Sequence, residues 1–261
     1  MLLQEGASMT ELRRQQIVEE IKKQKYTRVS ELAGKFDVSQ VTIRKDLTAL
    51  EKQGILVRYH GKVALAELPS VSYLERSEKN MDKKALIASA AASMIKDGDS
   101  IALDAGSTVN CIAEVLSGLS GHNIITNSIT AAATLEHSAN TVTVVGGQLV
   151  GQSHCTVGPD AEEYLSGIKT NIAFIGCSGV RGDTGICTGL RLEGGVKQAL
   201  MHSAEKVVAV FDDSKFSSGS MYMFGDFSEF DTVITTTPGT DLETLDRLKR
   251  LGVEVIFADT L

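Results

Sequence analysis

No Cys-x-x-Cys pair occurs among the four cysteines, Cys111, Cys155, Cys177 and Cys187, and the five histidines are scattered. That spacing excludes a zinc site of the finger type and a disulfide framework, and it suits the reduced thiols of a cytoplasmic protein. No apolar run approaches the roughly twenty residues of a membrane span. Met1 to Ser8 lacks the basic start and long apolar stretch of a signal peptide. A cytoplasmic protein without metal, cofactor or membrane contact is expected. Excess positive charge is missing from most of the chain: residues 67–261 hold 14 Lys+Arg against 25 Asp+Glu. Residues 1–66 reverse the balance, with 12 against 8, inside an overall net charge of -7. A basic head on an acidic body is expected where only the head meets a polyanion, and it argues against a body that wraps nucleic acid. At 261 residues the chain can hold a small module and one larger domain, each with its own core.

What is present begins with Val38-Ser39-Gln40-Val41-Thr42-Ile43-Arg44-Lys45-Asp46-Leu47. Val38, Val41, Leu47 and Leu50, with Ile43 offset by two, predict a helix with one inward side. Ser39 stands at the N-cap position. Gln40, Thr42, Arg44 and Lys45 supply hydrogen-bond donors and cations suited to base edges and phosphates in a major groove. Residues 9–24 read as a first helix with Leu12, Ile17, Val18 and Ile21 inward, and residues 29–36 as a second short helix. Asp37-Val38 then turns the chain into the third. Such an arrangement lays one helix in the groove while another crosses the backbone. After Gly54, a helix stop, two apolar runs around Gly61 predict a hairpin wing with Arg58, His60 and Lys62 near its tip. The plainer alternative is a small bundle with a solvated charged face; turn, helix and basic hairpin together favour DNA binding. The candidate DNA-contacting residues are Ser39, Gln40, Val41, Thr42, Arg44, Lys45, Arg58, His60, Gly61 and Lys62.

Residues 67–80, with Pro69 and several polar side chains, read as a linker, which places the head at 9–66 and the body at 81–261. In the body short apolar strands alternate with helices. Strands are expected at 100–103, 123–126, 141–145, 172–175, 207–211, 232–235 and 253–257, and helices at 84–95, 109–116, 129–137, 192–204 and 241–251. That alternation predicts an α/β domain, Rossmann-like, whose mainly parallel sheet is covered on both faces. Ligands in such sheets sit beyond the carboxyl ends of the strands. The loops there are small, polar or glycine: Gly106-Ser107-Thr108, Asn127-Ser128, Gly146-Gly147 and Ser178-Gly179. The free N–H groups and positive dipole end of the helix after Thr108 would suit a phosphate. Asp104 and Ser107 could equally be helix caps, but four such loops together favour a ligand.

Both parts resemble the DeoR family. In the head the resemblance rests on Arg13-Arg14, Ile17, Val29-Ser30-Glu31-Leu32-Ala33, Val38-Ser39, Thr42-Ile43-Arg44-Lys45-Asp46-Leu47, Leu50-Glu51, Gly54 and Arg58-Tyr59-His60-Gly61. Lys62 departs from the family, which usually has glycine there. In the body it rests on Asp104-Ala105-Gly106-Ser107-Thr108, Thr126-Asn127-Ser128, Gly146-Gly147, Gly158, Phe174-Ile175-Gly176, Glu193 with Lys197, and Asp212-Asp213-Ser214-Lys215-Phe216. Asn171 and Thr236 stand where the family usually has aspartate. The family's effector domain is similar to ribose-5-phosphate isomerase and related sugar-phosphate enzymes. The resemblance implies a phosphorylated sugar or sugar alcohol as effector, with Lys215 as a point charge for the phosphate. Asp104 and Asp212 would be acceptors for sugar hydroxyls or orienters of loops. The candidate effector residues are Asp104, Gly106, Ser107, Thr108, Thr126, Asn127, Ser128, Gly146, Gly147, Ser178, Glu193, Lys197, Asp212 and Lys215.

An enzyme of the isomerase type needs a positioned carboxylate as base. The loop that is acid-rich in those enzymes reads Phe174-Ile175-Gly176-Cys177-Ser178-Gly179 here, without a carboxylate. Glu193 and Lys197, four apart on a helix, read more readily as a surface pair than as an acid and base. The sequence therefore reads as a regulator: a repressor of a sugar-use operon, homo-oligomeric (dimer or tetramer), binding double-stranded operator DNA under control of a phosphosugar. The alternative is a sugar-phosphate isomerase-like enzyme fused to a DNA-binding head.

Overall fold

A computed structural model describes residues 9–24, 27–52, 56–59, 62–65, 72–237 and 242–261. The chain divides into two compact units, Met1–Ser70 and Val71–Leu261.

The first unit runs α1 (Met9–Gln24), β1 (Thr27–Arg28), α2 (Val29–Lys35), α3 (Gln40–Lys52), β2 (Leu56–Tyr59) and β3 (Lys62–Leu65). Strand β3 lies between β1 and β2 and is antiparallel to both, with Tyr59 opposite Lys62. Its core is Ile17, Ile21, Leu32, Ala33, Ile43, Leu47, Leu50 and Val63. Two residues expected inward face solvent instead: Leu12 is 43% exposed and Val41 61%. The inward stripe of α3 is Ile43, Leu47 and Leu50, spaced three and four apart. Val41 lies two positions before Ile43 and so points to the opposite side.

The second unit opens with α4 (Tyr73–Glu78) and α5 (Met81–Ala92), then β4 (Ser100–Leu103), α6 (Ser107–Ser117), β5 (Ser120–Thr126), α7 (Ile129–Leu135) and β6 (Ala139–Val144). A small hairpin, β7 (Gln148–Val150) with β8 (Cys155–Val157), precedes α8 (Pro159–Ser166) and β9 (Thr170–Ile175). After β10 (Gly179–Arg181) and β11 (Gly185–Thr188) come α9 (Arg191–His202), β12 (Ala204–Val210) and β13 (Tyr222–Asp226). The chain closes with β14 (Thr232–Thr235), α10 (Leu242–Arg250) and β15 (Glu254–Phe257).

Seven strands form a parallel sheet in the order β6-β5-β4-β9-β12-β14-β15. Its side chains alternate between two cores. Ile101, Leu103, Phe174 and Val208 pack with Ile87, Ile112 and Leu116 of α5 and α6. Ala102, Ala173, Ile175 and Ala209 pack with Leu165, Val196 and Leu248 of α8, α9 and α10. Both faces are covered, which is why these strands read as continuous apolar runs. The chain builds outward from β4 to β5 and β6, then returns to β9 on the other side of β4. The carboxyl ends of β4 and β9 thus flank the switch point, the usual crevice for a ligand.

The described part of the expected linker, residues 72–80, is folded. Ser72 and Glu75 form a capping box, with Ser72 N–H donating to Glu75 Oε2 at 3.0 Å and Glu75 N–H to Ser72 Oγ at 3.3 Å. Local capping, which a search for long apolar periods passes over, makes α4 part of the second unit.

Candidate functional site

In the first unit, Ser39 caps α3: the Thr42 N–H donates to Ser39 Oγ at 3.1 Å, and the two hydroxyls lie 2.9 Å apart. Gln40, Val41, Arg44 and Lys45 are exposed on one side of α3, with Thr42 half-buried beside them. The helix is held from behind by a group that the apolar pattern alone did not pick out. Asp46, 2% exposed, accepts from Arg13 Nε at 2.7 Å and from Arg14 Nε at 3.0 Å. One carboxylate on the inward stripe thus takes two α1 guanidinium groups and fixes α1 against α3. Arg58 and Lys62 lie on β2 and β3, but their side chains fall outside the described residues, as do His60 and Gly61 altogether.

In the second unit the switch point is closed at its floor by Asp104. This carboxylate, 1% exposed, accepts from the Gly176 N–H at 2.9 Å and forms an ion pair with Lys197. Lys197 also donates to the Gly176 carbonyl at 3.0 Å, so one lysine ties the ends of β4 and β9. Burial pushes the Asp104 carboxyl up, opposed by the Lys197 charge and by N–H donors. Glu193 and Lys197 are both buried, 7% and 5% exposed, and they bond to different partners. Glu193 accepts from Thr188 Oγ1 at 2.6 Å, and its other oxygen is buried without a partner. The expected surface pair is therefore two separate buried groups, because this face of α9 packs on the sheet. Burial holds the nearby Cys155 thiol up to about 12, with the Glu193 charge adding to the effect.

The four glycine or polar loops differ once their partners are known. Thr126 Oγ1 donates to the Leu103 carbonyl at 2.7 Å and accepts the Ser128 N–H at 3.0 Å. Ser128 caps α7 through the Ala131 N–H at 3.1 Å. Asn127 donates to the Thr156 carbonyl at 2.9 Å, leaving its side-chain oxygen buried and unpartnered. Gly147 has φ +134°, and a Cβ there would stand 2.7 Å from the Val157 carbonyl, so close packing on β8 explains this glycine. Gly146 meets open space. Ser178 donates its N–H to the Cys187 carbonyl at 2.8 Å. Asp212 accepts from Ser214 N–H at 3.0 Å and from Asn80 Nδ2 at 2.9 Å.

The turn at Gly106-Ser107-Thr108 is different. Helix α6 starts there with no side-chain cap, as α5, α8 and α9 also do, although Asp104 and Ser107 stood in position to supply one. Among the described residues the Ser107 and Thr108 hydroxyls carry no hydrogen bond to another side chain or to backbone. Gly106 is extended, and a Cβ at that position would meet nothing within 4 Å. Two lysines share this end of the sheet. Lys215 is half-buried, and its ammonium makes no hydrogen bond or ion pair among the described residues. Lys84 is 4% exposed, has no carboxylate in salt-bridge range among those residues, and donates to the Arg76 carbonyl. Burial drives the Lys84 ammonium down; Asp212 opposes this, while Lys215 and Arg76 add to it. Lys84 was readable as a lone cation on the apolar face of α5, three and four positions before Ile87 and Ala88.

The two departures from the family pattern also find places. Asn171 Oδ1 accepts from Ser100 N–H at 3.0 Å and its Oγ at 2.8 Å, at the amino end of the sheet and away from these loops. Thr236 Oγ1 donates to Asp213 at 2.6 Å, and Lys83 pairs with the same oxygen at 2.6 Å. Against the effect of burial, those two bonds hold the Asp213 carboxyl down. An aspartate at 236 would set two carboxylates together there.

A winged helix-turn-helix unit followed by a doubly wound domain with an uncapped helix start is the layout of a ligand-responsive DNA-binding regulator. Residues 13–68 match the family described as DeoR-like helix-turn-helix domain, and residues 79–237 the DeoR C terminal sensor domain. This chain belongs to the DeoR family of transcriptional regulators, and its α/β unit is a sensor domain rather than an enzyme. A protein of Escherichia coli O157:H7 named for repression of the aga operon is 32% identical over 95% of this chain and 94% of its own length. The glycerol-3-phosphate regulon repressor of Escherichia coli K12 is 30% identical over 85% of this chain and 89% of its own. The transcriptional repressor GlcR of Bacillus subtilis is 33% identical over 85% and 86%. Among solved structures, ribose 5-phosphate isomerase A of Methanocaldococcus jannaschii covers 53% of this chain and 55% of its own, with 21% identity and a TM-score of 0.40. Among the described residues no helix is long and apolar enough to cross a membrane, and no group of His, Cys, Asp and Glu could hold a metal ion.

Proposed function

We propose that the protein is a cytoplasmic, homo-oligomeric repressor of an operon for sugar or sugar-alcohol use, and that a phosphorylated form of such a compound is its effector. The observation that carries the effector reading is the set of groups without protein partners that meet at the start of α6. Free N–H groups, two free hydroxyls and an open glycine face the same end of the sheet as the buried Lys84 and the unpaired Lys215. A helix N-terminus with nearby ammonium groups stabilises a dianion most, and a buried cation without a carboxylate is costly until an anion arrives. Asp104 and Lys197 then act as the staple that positions the loop, and Asp212 orients Asn80 and Ser214. The relatives, which include proteins named as repressors of the aga operon and of a glycerol-3-phosphate regulon, support the same class of ligand.

On the DNA side, Ser39, Gln40, Val41, Thr42, Arg44 and Lys45 form the face that enters the major groove, with the hairpin wing alongside. Effector control requires different affinities for the DNA-competent and DNA-released forms. The test is thermal shift and operator retention across hexose, pentose and polyol phosphates beside the free compounds. A phosphate ester should bind saturably, and its unphosphorylated parent should not. Equal binding of both would refute the phosphate reading, and turnover of any panel member would refute the assignment as a sensor.

A further inference from the structure

Helix α4 begins three residues after Ser70, so the chain enters the sensor unit through it. Its start is fixed by the Ser72 capping box. The Tyr73 N–H donates to the Gln152 carbonyl at 2.8 Å, and the Tyr73 ring stacks on His154 at 4.8 Å. Its last turn is held by Lys84, whose ammonium donates to the Arg76 carbonyl. Helix α4 also walls an open cleft of about 410 Å³, with Tyr73 and Ser77 on one side and Ser107 and Asn110 of α6 on the other. Glu78 and Glu114 also line that cleft, whereas Arg76, on the same helix but outside the lining, has its Nε buried without a hydrogen-bond partner. One ammonium therefore has two claims on it: the carbonyl that ends α4 and any anion seated on the Ser107-Thr108 turn.

We propose that α4 reads the occupancy of the sensor site. An anion on the Ser107-Thr108 turn draws Lys84 off the Arg76 carbonyl and engages the Arg76 guanidinium, whose Nε lacks a hydrogen-bond partner, and α4 shifts. This rests on the reading of that turn as a phosphate site. A dianion attracts the Lys84 ammonium more strongly than a neutral carbonyl does, so docking of α4 and binding of the anion are linked, and the linkage acts in both directions. The Arg76 side chain gains charge-assisted hydrogen bonds to the anion. Because α4 continues into residues leading to the DNA-binding unit, its displacement is the nearest covalent route by which occupancy reaches that unit.

The chain contains no tryptophan, so a single one reports on its own surroundings. Leu74, 63% exposed on α4, is the place for it. Full-length Leu74→Trp would be titrated with inorganic phosphate, glycerol 3-phosphate and glucose 6-phosphate, with thermal shift recording binding. Hydrogen exchange of residues 72–80 would be read in parallel on the unsubstituted chain. The expected result is saturable binding of at least one ester, a matching change in emission, and amide exchange at residues 76–79 at least threefold faster when the site is filled. Arg76→Ala should weaken that ester at least tenfold and Arg76→Lys should restore part of the loss; a purely structural Arg76 would move the melting temperature but not the affinity. If none of the three probes binds, the phosphate reading fails and α4 sensing fails with it. If a probe binds and depends on Lys84, but emission and exchange in α4 stay unchanged or exchange slows, the sensing role of α4 alone is overturned.

Discussion

Lys84 shows how one side chain can trade stability for recognition. Its ammonium is buried with a carbonyl as its hydrogen-bond partner and without a paired carboxylate among the described residues. A buried ammonium without a paired carboxylate carries an uncompensated desolvation cost, which an apolar side chain of similar volume avoids. Lys84→Met should therefore melt no lower than the parent without ligand, while losing its thermal response to phosphate esters. The pH dependence has a definite sign. A lysine held down in the fold imposes a penalty that is complete below its folded value and is relieved as pH rises towards the unfolded value of about 10.4. The melting difference between Lys84→Met and the parent should shrink across that alkaline window, and anion affinity should fall within it. A difference independent of pH would remove the charge from the explanation. Gly106→Ala is the complementary test, because the new methyl meets no protein atom within 4 Å. It should leave the melting temperature within about a degree and weaken the effector, since the methyl enters space meant for the ligand.

At the scale of elements, α3 joins two tasks that use different sides of it. Its inward side ends in Asp46, which holds two arginines, and Asp46→Ala would leave both without that partner. Because Arg13 and Arg14 are partly exposed, the loss should be about 2 kcal/mol rather than the larger figure for fully buried pairs. Denaturant unfolding of the first unit would measure it. The outward side carries Arg44 and Lys45. Lys45→Ala should lower affinity for operator and random DNA alike and flatten the salt dependence by about one unit. A base contact at Arg44 would instead appear as ~1–3 kcal/mol at one operator position. The elements most legible in the sequence were α1, with its helical period, and the continuous apolar strands of the sheet: α1 and β4 stand at the expected residues, and all seven strands of the sheet were placed within a few residues. The pieces outside that sheet were not: α4, the β7–β8 hairpin and the β10-β11-β13 sheet show neither a helical period nor a continuous apolar run. The site divided in the same way. Residue types at the strand ends marked the loops, but only hydrogen-bond partners separate the capped starts, at Ser128 and Asp212, from the uncapped start at Gly106. Lys84 and Arg76 escaped because they lie far from those loops in the chain.

For the whole molecule, the charge division predicts that salt acts on the head. Operator binding should weaken steeply with added salt, while melting of the sensor unit changes little over the same range. A fragment from Val71 onward holds two cores of its own and should fold without the head. One winged helix reads few base pairs, so paired heads are needed for a specific site. That fragment should accordingly sediment as a dimer or larger; a monomer at micromolar concentration, with a dimeric full chain, would move the interface to residues 1–70. The lysine beneath the sensor's open turn has one more outcome. A ligand at a hundred times its Kd adds about 2.7 kcal/mol to the folded state. Cellular proteases act on whatever unfolds, so empty copies are cleared before filled ones. The lifetime of the regulator, and with it the number of copies per cell, should follow the supply of its effector even where no operator is present.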